Sequence, residues 1–262
     1  MLQNSSSETP AVGVVTPRRS RRMWLMALLL PVWVFVGFLA AQQLTIGLLW
    51  LLKWANVPVS SLSETVLTTV LAACIYILTI GVVIGLPWIV KKRRVSADDI
   101  GLQRWPLWRD ILLAPAGLIV YVILSAVLML AVSALFPAFD AGQAQDTGFN
   151  SITLQYQLIL AFITLVVVAP IAEEILFRGY LFGKLKKIVP IWVAILLTSV
   201  LFGLIHGAWN LAIDTFALSV ILCLLRLSTG SLWAPILLHM TKNGIAFYIL
   251  FVNPILTSTI GG

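Results

Sequence analysis

The sequence predicts an all-α fold, a polytopic transmembrane helical bundle of about seven spans, or eight if one short piece also crosses. Three observations carry this. Hydrophobic residues make up 60% of the 262-residue chain and charged residues only 10%, against roughly 45–50% and 25% in an average soluble domain. Mean hydropathy is +1.03. Apolar runs close to the roughly 20 residues that cross a bilayer recur from one end to the other.

Residues 1–22 hold Ser, Pro and Arg without periodicity and are expected to form a mobile basic tail. Apolar runs follow at 24–52, 66–90, 111–136, 154–178, 190–205, 211–225 and 232–252, the fifth and sixth being short. The first two spans fall in an N-terminal unit, 23–95, and the rest in 96–253. Residues 102–108 are expected as a re-entrant or interfacial piece, and 254–262 as a C-terminal tail. Pro31, Pro87, Pro115, Pro170 and Pro235 lie inside runs, which membrane helices tolerate, with kinks. Two cysteines, Cys74 and Cys223, are too few for a disulfide framework and read as small buried hydrophobes.

The net charge is +7 and the pI about 9.7. A nucleic-acid partner is excluded by how that charge is distributed. The basic residues form short clusters between apolar runs: Arg18, Arg19, Arg21 and Arg22; Lys91, Lys92, Arg93 and Arg94; Lys184, Lys186 and Lys187. With the N-terminus cytoplasmic, all three clusters fall on the cytoplasmic side, while loop 137–150 outside carries Asp140 and Asp146 without Lys or Arg. That is the positive-inside pattern, with the C-terminus outside.

Ionisable residues inside a membrane cost about 2.5–3.5 kcal/mol each on insertion scales, so several at one depth call for a reason. The fourth run contains Glu173, Glu174 and Arg178. Glu174 and Arg178 are four apart and share a helical face, in the favourable acid-first order. Glu173 is turned about 100° away. One carboxylate is thereby neutralised and its neighbour left for chemistry. The two histidines, His206 and His239, both fall in or at the end of apolar runs. Phe202 lies one turn before His206, and Asn243 one turn after His239 on a common face. Taken singly, each reads as a packed polar residue or a buried clasp. Taken together they read as a site.

Depth constrains that reading. From the Lys184–Lys187 cluster, Glu173 lies about 16–21 Å up a continuing helix and His206 about 27 Å up the next, while His239 lies about 12–15 Å above the 226–231 turn. The three converge if the fourth helix continues through 179–187 and the fifth is tilted.

Glu-Glu-x-x-x-Arg, then Phe-x-x-x-His, then His-x-x-x-Asn, in order on late spans, resembles the CAAX-protease and bacteriocin-processing family of intramembrane proteases. The resemblance covers about residues 100–250 and includes the Asp-Ile-Gly-Leu stretch at 99–102. It implies a membrane-embedded endopeptidase of the glutamate type, formerly classed as a metalloprotease. Glu173 would activate water, with His206 sharing that activation or protonating the leaving amine. His239 and Asn243 would donate to the oxyanion, and Glu174, Arg178 and Phe202 would support them. No cofactor is expected. The zinc alternative would use Glu173, His206 and His239, a chemically adequate set, though without the His-Glu-x-x-His spacing of zincins. Expected partners are the lipid bilayer and a peptide or small membrane-protein substrate, lipidated or not. If the chain is bacterial, as its brevity indicates, the compartment is the cell membrane and a prenylated substrate is the lesser expectation. Two other classes share parts of this pattern: a non-catalytic bacteriocin-immunity or scaffold protein that holds a peptide in the same pocket, and a proton-coupled transporter. The latter lacks the matched broken-helix halves that mark inverted repeats.

Overall fold

The computed structural model describes residues 20–92, 95–143, 148–149 and 152–253. The tails expected at 1–22 and 254–262 therefore lie outside the described residues, except that Arg21 and Arg22 already open the first helix. Within the described residues the fold is helical, with no strand. Six helices are long and apolar enough to cross a membrane: α1 (Arg21–Trp54), α2 (Glu64–Val90), α3 (Trp108–Leu135), α4 (Gln155–Ile188), α6 (Trp209–Thr229) and α7 (Trp233–Val252). The remaining apolar helix, α5 (Ile191–Leu204), has 14 residues. At 1.5 Å per residue it reaches about 21 Å, short of the ~30 Å hydrocarbon core. The chain is an integral membrane protein.

Helix α1 packs through a narrow stripe of small side chains, Ala27, Val34, Gly37, Ala41 and Thr45. Such residues let membrane helices approach closely. A methyl group on Gly37 would collide with the side chain of Val83 on α2. The same seam shows how proline is accommodated. Pro87 has no N–H to offer the carbonyl of Val83 four residues back, the helix widens into π turns over Gly81–Gly85, and Trp33 Nε1 donates to Val83 O instead at 3.1 Å.

Between α2 and α3 a single helical turn, Ala97–Ile100, is held by a reciprocal Ser96–Asp99 capping box. It ends at Gly101, whose φ of 90° belongs to the left-handed region that glycine adopts without strain. Gly101 O accepts from Leu232 N at 2.8 Å and Ser231 Oγ at 3.2 Å. Ile100 sits against Gly179 of α4, where an added Cβ would come within 3.0 Å. The Asp-Ile-Gly-Leu stretch thus wedges between α4 and the start of α7. Residues 102–108 form no helix before Trp108; Trp105 stacks on Trp233 and Arg104 pairs with the buried Asp110.

Two cores result. One gathers Phe177, Leu181, Phe182 and Leu185 of α4 with Ala194 and Phe202 of α5 and Cys223 of α6. The other joins Ala114 and Tyr121 of α3 to Leu218 and Leu222 of α6 and Leu238 of α7.

Candidate active site

Helix α4 continues through 179–187 rather than ending at Arg178, which meets the first condition for convergence. It is not uniformly α-helical. π segments at Ile163–Val168 and Ile175–Leu181 flank the acid pair, and π turns frequently mark functional sites. Pro170 sits two residues beyond the first segment. It cannot donate to the carbonyl five residues back in a π ladder, that of Leu165. Asn243 Nδ2 fills the place, donating to Leu165 O at 2.9 Å. So α7 grips α4 at Leu165, eight residues before Glu173.

Glu174 and Arg178 pair as expected, Nη1 to Oε1 at 2.9 Å, with both side chains wholly buried. The same Oε1 accepts from His239 Nδ1 at 2.8 Å. The guanidinium lies over the Phe202 ring at 4.2 Å, and that ring also meets the imidazoles of His206 and His239 edge to face. Phe202 is therefore the apolar hub between the charged clasp and both histidines. Because Glu174 and Phe202 O can only accept, Nδ1 carries the proton in both rings. In the neutral form each Nε2 is left as an acceptor.

Glu173 is turned away from this clasp, with 14% of its side chain exposed. Its Oε2 faces His239 Nε2 at 3.8 Å, beyond hydrogen-bond length. His206, anchored by Nδ1 to Phe202 O at 2.6 Å, stands in the turn after α5 within electrostatic reach of Glu173 and His239. Glu173, Glu174, Arg178, Phe202, His206 and His239 thus come together, while the Asn243 side chain is bonded to Leu165 O at the π turn. Among the described residues, no three His, Cys, Asp or Glu side chains are grouped so as to hold a metal ion.

The sequence reading missed two features. Tyr76 of α2 donates from its hydroxyl to Glu173 Oε1 at 2.6 Å. Asp214 of α6 accepts from Tyr121 Oη at 2.6 Å, Ser125 Oγ at 2.7 Å and Lys242 Nζ at 3.2 Å. The signal for the second was present: Asp214 and Lys242 are intramembrane ionisable residues, the same criterion that singled out the glutamates. For Tyr76 the only signal was a phenol in an apolar run.

A helical membrane protein with a carboxylate and two imidazoles drawn together between its late helices is the class that fold and site define. Residues 155–245 match the family model described as type II CAAX prenyl endopeptidase Rce1-like. The membrane-embedded CAAX protease MroQ of Staphylococcus aureus is 28% identical over 47% of this chain and 53% of its own length. The putative membrane peptidase YdiL of Bacillus subtilis is 28% identical over 58% of each chain. The UPF0177 protein YxdF of Lactococcus lactis is 32% identical over 42% of this chain and 58% of its own. The chain spans about half the length of the curated relatives it matches. No solved structure matches. The chain is thus similar to CAAX-type membrane proteases, and the segment that matches the family model runs from the start of α4 into α7, narrower than the 100–250 expected.

Proposed function

We propose that this chain is a membrane endopeptidase that hydrolyses peptide bonds of membrane-associated peptides, lipidated or not, with water activated by Glu173 and no metal. The single observation behind this is the division of labour between adjacent acids. The wholly buried Glu174 holds Arg178 and His239 through Oε1, whereas Glu173 Oε2 faces an imidazole nitrogen without being bonded to it. A water there loses its proton to Glu173 as its oxygen attacks the scissile carbonyl. His206 Nε2 shares the activation, and the proton passes to the leaving amine. The oxyanion is met by His239 in its protonated form, held by Glu174, and by the second N–H of the Asn243 amide, whose first is fixed on Leu165 O. The basic clusters support an N-terminus on the cytoplasmic side.

The test uses purified protein in proteoliposomes and a quenched fluorescent peptide library, with and without lipid anchors on the peptides. Glu173→Gln is expected to lower cleavage by about 10²–10⁴-fold, with His206→Ala also strongly impaired and both variants eluting as folded protein. Full activity in Glu173→Gln removes the assigned base. Stoichiometric zinc in the active preparation, with chelator inactivation reversed by zinc, would replace the metal-free route.

A further inference from the structure

We propose that Tyr76 is the positioning residue for Glu173, so that α2, outside the matched segment, completes the site. This rests on the reading of Glu173 as the base. The hydroxyl donates to Oε1 at 2.6 Å, and with that oxygen fixed the plane of the carboxylate is set so that Oε2 faces the His239 side. Without that hold, the short Glu173 side chain turns about its terminal torsion, which is broad and twofold rather than confined to staggered wells. Hydrogen bonds to charged groups are the strong kind, and here the donor sits on a ring with few rotatable bonds.

The helix register makes the contact. Helices α2 and α4 meet through polar groups at Thr69 and Thr164, whose hydroxyls lie 3.5 Å apart. The next polar meeting is seven residues on along α2, at Tyr76, but nine residues on along α4, at Glu173. In two regular parallel helices these positions would fall out of step by about 3 Å. The wider turns of Ile163–Val168 lie in that interval and take up the extra residues. The π segment, whose odd carbonyl Asn243 satisfies, therefore sets the height of Glu173 against Tyr76 as well as against α7.

Two readouts separate this proposal from the function it rests on. The first needs no substrate: at one fixed pH the carboxylate stretch of Glu173 is recorded by infrared difference spectroscopy, with Glu173→Gln identifying the band. In Tyr76→Phe the band is expected to shift in frequency, because the hydrogen bond to Oε1 is lost. Site-specific 3-fluorotyrosine at 76 keeps size and fold while strengthening the donor, and should move the band the opposite way. The second is steady-state cleavage: Tyr76→Phe is expected to lower kcat by about ten- to a hundredfold, with KM little changed. Thr69→Val, on the same seam, serves as the packing control and should leave both readouts as in wild type. An unmoved band in both position-76 variants, or a Thr69→Val effect equal to that of Tyr76→Phe, overturns the proposal. Absence of cleavage by the wild type strikes only the protease reading, since the spectroscopic arm still decides the role of Tyr76.

Discussion

Glu173 and Asp214 are acids set among the packed helices yet left partly open, at 14% and 20% side-chain exposure. Each accepts a 2.6 Å hydrogen bond from a tyrosine on a helix that precedes the matched segment, Tyr76 of α2 and Tyr121 of α3. From there they diverge. Asp214 also takes Ser125 and the Lys242 ammonium, so its lone pairs and its charge are both answered. Glu173 takes one donor and faces an imidazole it does not bond. The difference teaches that depth and exposure do not single out a base. What does is how many donors the neighbouring helices deliver, and a carboxylate with donors on both oxygens is a structural strut.

The largest expected effect tests that contrast directly. Set beside the loss of about 10²–10⁴-fold expected for Glu173→Gln, Asp214→Asn should keep kcat within a few-fold while lowering the melting temperature in detergent. Equal loss in the two variants would erase the distinction. Next comes the clasp that leaves Glu173 as the unclaimed acid. Arg178→Met strands the buried Glu174 charge, and removing one partner of a buried pair costs about 3–5 kcal/mol, read as a lower thermal midpoint. A variant as stable as wild type would mean that His239 alone can hold Glu174. The smallest effect concerns an acid outside the bilayer, for comparison. Asp99 accepts from the Ser96 N–H and hydroxyl, which hold its carboxyl below the ordinary range. Its contribution is therefore present above the usual carboxylate pKa and fades as pH falls through the lowered value. Amide exchange in the Ala97–Ile100 turn should quicken only under strongly acidic conditions; faster exchange already near pH 5 would contradict the capping box.

Much of this was legible in the residues. Composition fixed lipid as the solvent, and the four-residue spacing of Glu174 and Arg178 fixed their pairing and left Glu173 on another face. Phe202 with His206 and His239 with Asn243 follow from the same 3.6-residue period. The end of α4 was not legible: Gly179 and the lysines read as an exit, yet the helix goes on because Gly179 and Gly183 admit the Ile100 turn against its side. α6 was read too short, as Trp209–Asn210 and Arg226–Thr229 look like flanks; yet Asn210 and Arg226 are buried against the protein.

Local chemistry, then, determined on its own which segments enter the bilayer and which polar side chains share a helical face, because both depend on hydropathy and helix period alone. Only the packing of whole helices decided that Tyr76 meets Glu173, that Tyr121 and Lys242 neutralise Asp214, and that Asn243 serves a carbonyl Pro170 cannot. Those pairings join residues 78 to 97 positions apart, Lys242–Asp214 excepted, and hang on π turns that shift the register by a fraction of a helical turn, which no period read along one segment contains.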